Sequence, residues 1–363
     1  MKVAIIGTRG IPAAYGGFET FAFRLSAGLA EAGIDITVVN EKSHMCTIPL
    51  AKNIQVVHSN YDKSTNPLQF YRDSLRMTEN EHDIVLVCGV GGAFFYPNKN
   101  ARAIIITNVD GLEHLRKKYT FLQRRLVCIL QRIANKRSDY LIADSKEVES
   151  YWKKRFANSS EKLRSISYGA DLISQANESL LQKFGIEAEN YFLVIARLVP
   201  ENNIEMIING FKMSGSRRKL VILGDTNDNP YSRDVAKMAS DSIIFAGAIY
   251  DEEIVRALRF HAFAYLHGHS VGGTNPSLVE AMAASCACVC FKTVFNSEVT
   301  NDKQLSFISS DELSAQLNLL ESNETLRKRM QKDAFELAKN NYSWEGITTS
   351  YITLFNKLLG ERR

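Results

Sequence analysis

The sequence predicts an α/β protein with two Rossmann-like, doubly wound domains that face each other across a cleft. Its 363 residues exceed what one hydrophobic core usually accommodates, so two domains are expected. Short apolar runs alternate with amphipathic stretches, which is typical of parallel strands joined by crossover helices. This alternation occurs twice in succession, and ligands of such sheets bind outside the carboxyl ends of the strands.

The first domain is predicted to span 1–175 and to be completed by a C-terminal helix at 344–363. Its apolar runs predict strands at 3–6, 36–39, 84–88, 103–107 and 140–142. Its helical periodicity predicts helices at 17–32, 66–79 and 121–137.

The second domain is predicted to span 176–343, after a connection near 172–190. Its strands are expected at 191–196, 219–223, 243–246, 263–266 and 287–291. Its helices are expected near 203–212, 231–239, 251–259 and 276–284. Further helices close the chain at 311–321, 323–340 and 343–360.

The composition is that of an ordinary soluble protein, with 45% hydrophobic and 23% charged residues. No apolar run approaches the roughly 18 residues that span a bilayer. The N-terminal Met-Lys-Val-Ala-Ile-Ile-Gly predicts a buried strand that enters a glycine turn, with no cleavable signal peptide. A cytoplasmic location is therefore expected.

Three of the six cysteines, Cys286, Cys288 and Cys290, alternate along one predicted strand. That spacing places their side chains on one face of the strand, which does not suit a tetrahedral zinc site. We expect buried structural thiols and no metal site here.

Basic residues are concentrated at 116–137, although the net charge of the chain is only +4. Apolar residues recur there at near-helical spacing, which favours an amphipathic helix lying on an anionic membrane surface, on the inner face of the membrane. A solvated helix face above a buried stripe is the alternative. Nucleic acid is not expected as a partner, because no aromatic platform or DNA-binding motif accompanies the basic residues.

The segment from His267 to Glu280 predicts a phosphate cradle that runs into a helix. Gly272 and Gly273 let the backbone approach a ligand, and Pro276 suits the first turn of a helix. The free N–H groups of such a helix start bind anions such as a diphosphate. Glu280, about one turn into the helix, is placed to accept hydrogen bonds from a sugar diol. An ordinary glycine turn with an exposed glutamate is the alternative.

A second glycine-rich loop, Gly7-Thr-Arg-Gly-Ile-Pro-Ala-Ala-Tyr-Gly-Gly-Phe-Glu19, follows the first strand. Its glycines are too widely spread for the Gly-x-Gly-x-x-Gly turn that binds nicotinamide cofactors. Gly16 and Gly17 would allow a wider loop to close over a bound group. A purely structural turn is the alternative.

Taken together, three motifs resemble the family 4 glycosyltransferases of GT-B fold. They are the loop ending Gly-Gly-Phe-Glu, the Ala196-Arg197-Leu198 strand end, and Gly-Gly-Thr-Asn-Pro-Ser-Leu-Val-Glu-Ala-Met-Ala. The first loop, Asn108-Val-Asp-Gly-Leu-Glu and Ala-Arg-Leu-Val-Pro-Glu-Asn-Asn are similar to bacterial rhamnosyltransferases of polysaccharide biosynthesis.

The resemblance implies a nucleotide-sugar donor on the second domain and a saccharide or lipid-linked saccharide acceptor on the first. It also implies transfer with retained anomeric configuration, with no metal and no cofactor required. Arg197 matches the basic residue that pairs with the donor diphosphate, and Glu280 the glutamate that holds the ribose. The positions that match the phosphate-binding backbone and the closing loop are Gly273, Thr274 and Asn275, and Gly16 and Gly17.

Two positions depart from the family pattern. The first family glutamate, eight positions before Glu280, falls on Gly272, and a frequent lysine five positions after Arg197 falls on Asn202. Loss of a carboxylate and of a positive charge suggests a donor with fewer hydroxyls, such as rhamnose, with Asn202 still placed in the donor site. Either His267 or His269 would replace part of the lost contact, or serve as a structural histidine; His269 is the one assigned to the donor.

Asp110, at a predicted strand end, is the candidate that orients or deprotonates the acceptor, with Arg197 as the second catalytic residue. An Asp-Gly turn is the alternative for Asp110. Tyr15, Glu113 and His114 are further acceptor-side candidates.

Other functions stay open at this point. A nucleotide-sugar epimerase has the same two-domain shape and binds a nucleoside diphosphate, but needs no membrane-facing acceptor. A non-catalytic sugar-nucleotide-binding protein would explain the two departures from the family pattern. A nicotinamide-dependent oxidoreductase is least favoured, because its glycine fingerprint is absent from the first loop.

Overall fold

A computed structural model describes residues 1–12, 16–97, 102–111, 120–156 and 159–362. The chain divides into two compact units, the first made of Met1–Tyr168 and Trp344–Arg363, the second of Gly169–Ser343. The first break lies before the predicted one at 175. Ala170 already belongs to the second unit, where its N–H donates to the carbonyl of Tyr342 at 2.7 Å.

The first unit holds a parallel sheet whose described strands pair in the order β3-β2-β1-β4-β5-β6-β7. These strands are β1 (Lys2–Ile6), β2 (Asp35–Asn40), β3 (Ile54–His58), β4 (Ile84–Cys88), β5 (Ile104–Asn108), β6 (Tyr140–Ala143) and β7 (Leu163–Ser165). The helices that connect them are α1 (Gly17–Glu31), α2 (Pro67–Thr78), α3 (Phe121–Arg137) and α4 (Lys146–Arg155). Along β1, Val3 and Ile5 pack into one core while Ala4 and Ile6 pack into another, so both faces of the sheet are covered.

The second unit holds a parallel sheet in the order β10-β9-β8-β11-β12-β13. Its strands are β8 (Tyr191–Ile195), β9 (Lys219–Leu223), β10 (Ile243–Gly247), β11 (Ala264–His267), β12 (Cys288–Phe291) and β13 (Leu305–Phe307). Its helices are α5 (Ile204–Ser214), α6 (Pro230–Ala236), α7 (Glu252–Phe260), α8 (Pro276–Ala283), α9 (Val294–Thr300), α10 (Ser310–Ser322) and α11 (Glu324–Asn341).

The last helix, α12 (Trp344–Glu361), belongs to the first unit and packs on α1. Phe21 contacts the rings of Tyr351 and Trp344 at centroid distances of 5.7 and 6.5 Å. Gly28 makes the close approach possible, because a Cβ there would lie 2.5 Å from Oγ1 of Thr348. The predicted C-terminal helix therefore lies against the first helix of the chain.

The prediction of two Rossmann-like units with parallel sheets is confirmed. Sequence analysis missed the edge strands β3, β7 and β13 and the helices α4 and α9. The interpretation of three cysteines as buried thiols is correct, since Cys286, Cys288 and Cys290 are at most 3% exposed and unpaired. Among the described residues, none of the helices combines the length and apolar character needed to cross a membrane.

Candidate functional site

The carboxyl edge of the second sheet carries two segments tied together by hydrogen bonds: the 200–203 turn after β8 and the 268–275 loop after β11. Nδ2 of Asn203 donates to the carbonyl of Gly268 at 2.7 Å. The carbonyl of Glu201 accepts from the N–H and hydroxyl of Ser270 at 3.0 and 2.8 Å. Gly268 has to be glycine, because a Cβ there would lie 2.1 Å from the carbonyl oxygen of Asn202.

Asn202 is buried between these two segments and is 5% exposed. Its Nδ2 donates to the carbonyl of Arg197 at 2.7 Å, and its Oδ1 bonds Nδ1 of His269 at 2.6 Å. Asn202 was predicted to contact the donor. In the structure both of its polar groups bond protein atoms, so Asn202 links the strand end that carries Arg197 to the loop that carries His269.

The 268–275 loop leads directly into α8. Asn275 is the N-cap residue, and its side chain accepts from the N–H of Ser277 at 3.0 Å, while Pro276 follows in the first turn. This use of the Asn275 side chain leaves the backbone of Gly273 and Thr274 as the segment preceding the positive end of the helix. Gly272 has a φ of 138°, a conformation that L side chains rarely adopt. The helix start therefore has the geometry of an anion-binding loop.

Arg197 lies just beyond the carboxyl end of β8, with an exposed side chain. Among the described residues no carboxylate pairs with its guanidinium. A structural salt bridge, the alternative to an anion-binding role, is thus not formed within that part of the chain. The guanidinium stays available for an anion at the same sheet edge as the α8 N-terminus.

Glu280 pairs with Arg259, a residue of α7 that the sequence analysis did not identify. Nη2 of Arg259 contacts Oε2 of Glu280, and the side chains are 12% and 27% exposed. Within the described segments the hydrogen bond from Arg259 to Oε2 is the one that the Glu280 carboxylate accepts, and the buried Nε of Arg259 has no partner there. The ion pair holds the carboxylate in one orientation and leaves one oxygen for a ligand hydroxyl.

His267, the last residue of β11, is a buried neutral histidine. It is 4% exposed, and its ring lies 5.9 Å from the rings of both Tyr265 and His269. Burial, and to a lesser degree the neighbouring His269, lowers the pKa of His267 well below its usual value of 6.5. Its Nε2 is buried without a hydrogen-bond partner in the described structure. Burial and a lowered pKa favour a structural role for His267 over contact with the donor.

The depressed pKa of His267 gives a stability prediction. The unfolded chain binds a proton at this residue below pH 6.5, whereas the folded chain does not, so folding stability is lost as the pH falls below that value. Between about pH 7 and about pH 5, the free energy of unfolding should fall more steeply than in His267→Leu, by up to about 1.4 kcal/mol per pH unit. Urea unfolding of both proteins measures the slopes, and parallel curves would contradict the prediction.

The carboxyl edge of the first sheet carries Asp110, two residues beyond β5. Asp110 has a φ of 59°, and its N–H donates to Oδ1 of Asn108 at 3.0 Å. A left-handed backbone at a non-glycine residue costs on the order of 1 kcal/mol and is enriched at functional sites. Asp110 lies just beyond the carboxyl end of β5, at the edge of the first sheet where an acceptor is expected. Tyr15, Glu113 and His114 lie outside the described residues.

The first glycine loop leads into α1, with Gly16 as its N-cap and Gly17 as its first residue. Glu19 is 5% exposed, and its Oε1 accepts from the N–H of Arg9 at 2.8 Å. Nζ of Lys63 donates to the carbonyl of Gly7 at 2.5 Å. The loop is thus fixed by a buried carboxylate and a lysine, neither of which was among the predicted site residues.

Lys63, beside the first glycine loop at the carboxyl edge of the first sheet, keeps its positive charge. Burial disfavours the charge, but Tyr71 and then Glu19 raise the pKa of Lys63 above its usual value. The hydroxyl of Tyr71 donates to the carbonyl of Cys88 at 3.3 Å, at the end of β4. A positive charge therefore lies beside the first glycine loop.

Among the described residues, no group of three His, Cys, Asp or Glu side chains has a metal-binding arrangement.

Parts of the chain are similar to known proteins. Residues 177–337 match the family model described as glycosyl transferases group 1, and residues 69–171 match a domain of unknown function, DUF1972. An uncharacterized glycosyltransferase of Methanocaldococcus jannaschii is 23% identical over 236 residues, which cover 62% of this chain and 60% of that protein.

Two solved structures show the same fold along the whole chain. Sucrose-phosphate synthase from Thermosynechococcus elongatus has a TM-score of 0.83 at 14% identity, covering 99% of each chain. HepE of Anabaena in complex with UDP-glucose has a TM-score of 0.77 at 14% identity, covering 98% of this chain and 100% of that one.

The fold defines the class: this is a protein of GT-B fold. More particularly, residues 177–337, which match the model described as glycosyl transferases group 1, contain Arg197, Gly273–Asn275 and Glu280.

Proposed function

We propose that this protein is a retaining, metal-independent glycosyltransferase that moves L-rhamnose from dTDP-rhamnose to a saccharide or lipid-linked saccharide acceptor in cell-surface polysaccharide synthesis. The observation that carries the proposal is the anion-binding start of α8 beside Arg197 at one sheet edge. HepE, which has the same fold, has been crystallised with UDP-glucose. A nucleoside diphosphate sugar is accordingly the ligand class proposed here.

In this proposal the donor diphosphate lies against the backbone N–H groups of the 273–275 segment. Arg197 supplies a planar fork of donors to the phosphate oxygens, and the N-terminus of α8 adds the positive end of its dipole. The ribose hydroxyls bond Oε1 of Glu280, whose Oε2 is held by Arg259. Charge develops on the diphosphate as it leaves, so these groups stabilise the transition state more than the ground state.

The chemical step forms a bond between the acceptor oxygen and the anomeric carbon and breaks the bond from that carbon to the diphosphate oxygen. The acceptor attacks from the face that the diphosphate leaves, so the anomeric configuration is retained. The acceptor proton passes to the leaving phosphate. Asp110 orients the acceptor hydroxyl and assists this proton transfer.

The proposed sugar rests on Gly272. A side chain at this position would need a strained backbone at φ 138°, so no carboxylate is presented there to the donor. A donor sugar with fewer hydroxyls to recognise, such as a 6-deoxy sugar, suits a cradle without that group.

In this proposal the acceptor is presented at a membrane surface, to which α3 binds. Within the described part of α3, four large apolar side chains are exposed by 46% or more: Phe121, Leu122, Leu126 and Ile129. Exposed basic residues flank them, and the guanidinium of Arg125 lies 4.7 Å from the ring of Phe121. This pattern favours binding to an anionic lipid surface, with a peripheral position on the inner face of the membrane.

Replacing Phe121, Leu122 and Leu126 together by Ser should lower the affinity for phosphatidylglycerol vesicles at least about tenfold, because their apolar area no longer enters the membrane. Vesicle flotation measures the bound fraction. The matched control is Met213→Ser, which removes a 54% exposed apolar side chain from α5. Equal flotation of the triple variant and the wild type would contradict a membrane role for α3.

The proposed reaction is tested by incubating the protein with dTDP-rhamnose and a lipid extract that contains saccharide acceptors. The expected product is an acceptor heavier by one deoxyhexose, seen by mass spectrometry. Conversion of the nucleotide sugar into an isomer without acceptor would identify an epimerase instead. Binding without consumption, with or without acceptor, would identify a non-catalytic protein.

A further inference from the structure

The second sheet has its topological switch point between β8 and β11. From β8 the chain proceeds to β9 on one side, and from β11 it proceeds to β12 on the other. β8 pairs with β9 as far as Ile195, whereas its pairing with β11 in the described structure ends at Leu193 and Tyr265. The carboxyl ends of β8 and β11 are thus not joined by the backbone ladder, and ligands of doubly wound sheets bind in the crevice at such a point.

Two hydroxyl groups bridge this opening at the carbonyl of Ile195. Oγ of Ser277, in the first turn of α8, donates to the carbonyl at 3.0 Å. The hydroxyl of Tyr265 lies 2.6 Å from Oγ of Ser277 and 3.0 Å from the same carbonyl. Tyr265 is fully buried, and burial raises the pKa of its hydroxyl above the usual value, so the group keeps its proton. The first turn of α8 is therefore tied to the end of β8, directly and through Tyr265.

The bridged carbonyl lies two residues before Arg197 in the chain. Ser277 lies just after the 273–275 segment, so its hydroxyl joins the strand end that carries Arg197 to the helix start. Capping of α8 does not use this hydroxyl, because the side chain of Asn275 bonds the backbone N–H of Ser277. The Ser277 side chain therefore links two elements and has no part in ending the helix.

We infer that Ser277 is a positioning residue for the donor diphosphate, because its bond to Ile195 sets the separation between Arg197 and the N-terminus of α8. An anion bound by two groups is held best when both are fixed at the spacing that it spans, since neither group then has to be ordered on binding. Ser277 acts through Arg197 and the helix start and is not itself assigned a contact with the ligand. The inference rests on the proposed function.

Ser277→Ala removes the hydroxyl, keeps the backbone N–H that Asn275 bonds and places a strong helix former in α8, so the variant should fold. Calorimetry should show dTDP binding about fivefold weaker, which is the typical contribution of one neutral hydrogen bond. Ser277→Thr, which keeps a hydroxyl at this position, should recover most of the affinity. The matched control is Ser322→Ala at the exposed end of α10, which should bind dTDP as the wild type does.

The same substitution in an Arg197→Ala background separates positioning from a general effect on structure. If Ser277 acts through Arg197, its loss should there change the dTDP affinity by less than about twofold, because effects of coupled residues are not additive. Titration to millimolar dTDP keeps the weaker complexes measurable.

Wild-type dTDP affinity in Ser277→Ala would overturn the inference. So would equal weakening with and without Arg197, because it would indicate that the hydroxyl only stabilises the fold of the second unit. Failure of the wild type to bind dTDP would instead overturn the proposed function, and this inference with it.

Discussion

Arg197→Ala is expected to lower turnover at least tenfold and to weaken nucleoside diphosphate binding to a similar or greater degree. A hydrogen bond to a charged group contributes about 1.5–3 kcal/mol, which corresponds to roughly 10- to 100-fold in affinity. The guanidinium is exposed and forms no ion pair within the described residues, so its removal leaves no buried charge behind. The effect should therefore appear in binding and rate and not in stability.

The matched control is Arg217→Ala. Arg217 is also exposed and lies in the second unit, but it precedes β9 and so lies at the amino edge of the sheet. This variant should bind dTDP as the wild type does. Unchanged dTDP affinity and unchanged rate in Arg197→Ala would remove Arg197 from the site.

Asp110→Asn is expected to lower the transfer rate about a hundredfold while dTDP binding stays unchanged, because losing the group that orients the acceptor hydroxyl and assists its proton transfer costs on the order of 100-fold. Asparagine tolerates the left-handed backbone that Asp110 adopts at φ 59°, so the turn after β5 is kept. Single-turnover transfer and calorimetry with dTDP are the two measurements.

The tolerance of asparagine for that backbone makes Asp110→Asn a sharper test than Asp110→Ala. Ala would strain the turn and confuse loss of the carboxylate with displacement of the loop. If Asp110→Asn transfers at the wild-type rate, or if it loses dTDP affinity, Asp110 does not act on the acceptor.

Most of the parallel-sheet strands that were predicted from the sequence are apolar and largely buried, the edge strand β10, in which only Ile243 is buried, being the exception. β4 is an example, with every residue from Ile84 to Cys88 buried. The missed strand β3 contains Gln55 and His58 and is only half-buried at the end of its sheet. The missed β7 and β13 are three residues long. Short edge strands are set by pairing with a neighbour, which periodicity alone does not reveal.

The residues of the candidate site likewise fall into two groups, those that the sequence indicated and those that it did not. Local sequence patterns indicated the 273–275 segment and Glu280, because a glycine turn followed by a helix start is a local feature, whereas Arg197 was assigned from the resemblance to the family. Arg259 and Lys63 were missed because their partners are distant in sequence: Arg259 pairs with Glu280 across 21 residues and Lys63 bonds Gly7 across 56. Such contacts depend on strand order, and no spacing in the sequence signals them.

Asn202 and Gly272 show how the structure changes an interpretation. Sequence analysis treated them as two independent losses of charged groups. In the structure Asn202 bonds His269, and Gly272 leaves space for the same ring. The departures are therefore parts of one arrangement, in which a substitution at either position would disturb the histidine.

The most direct test of a nucleotide-sugar site in the second unit is a thermal-shift panel of dTDP-, UDP- and GDP-sugars, with NADH as a control. A ligand at about a hundred times its dissociation constant adds roughly 2.7 kcal/mol of stability. We predict the largest rise in melting temperature with dTDP-rhamnose, a smaller rise in Arg197→Ala, and none with NADH. The absence of a shift with every nucleotide sugar, or a shift with NADH alone, would contradict the proposed function.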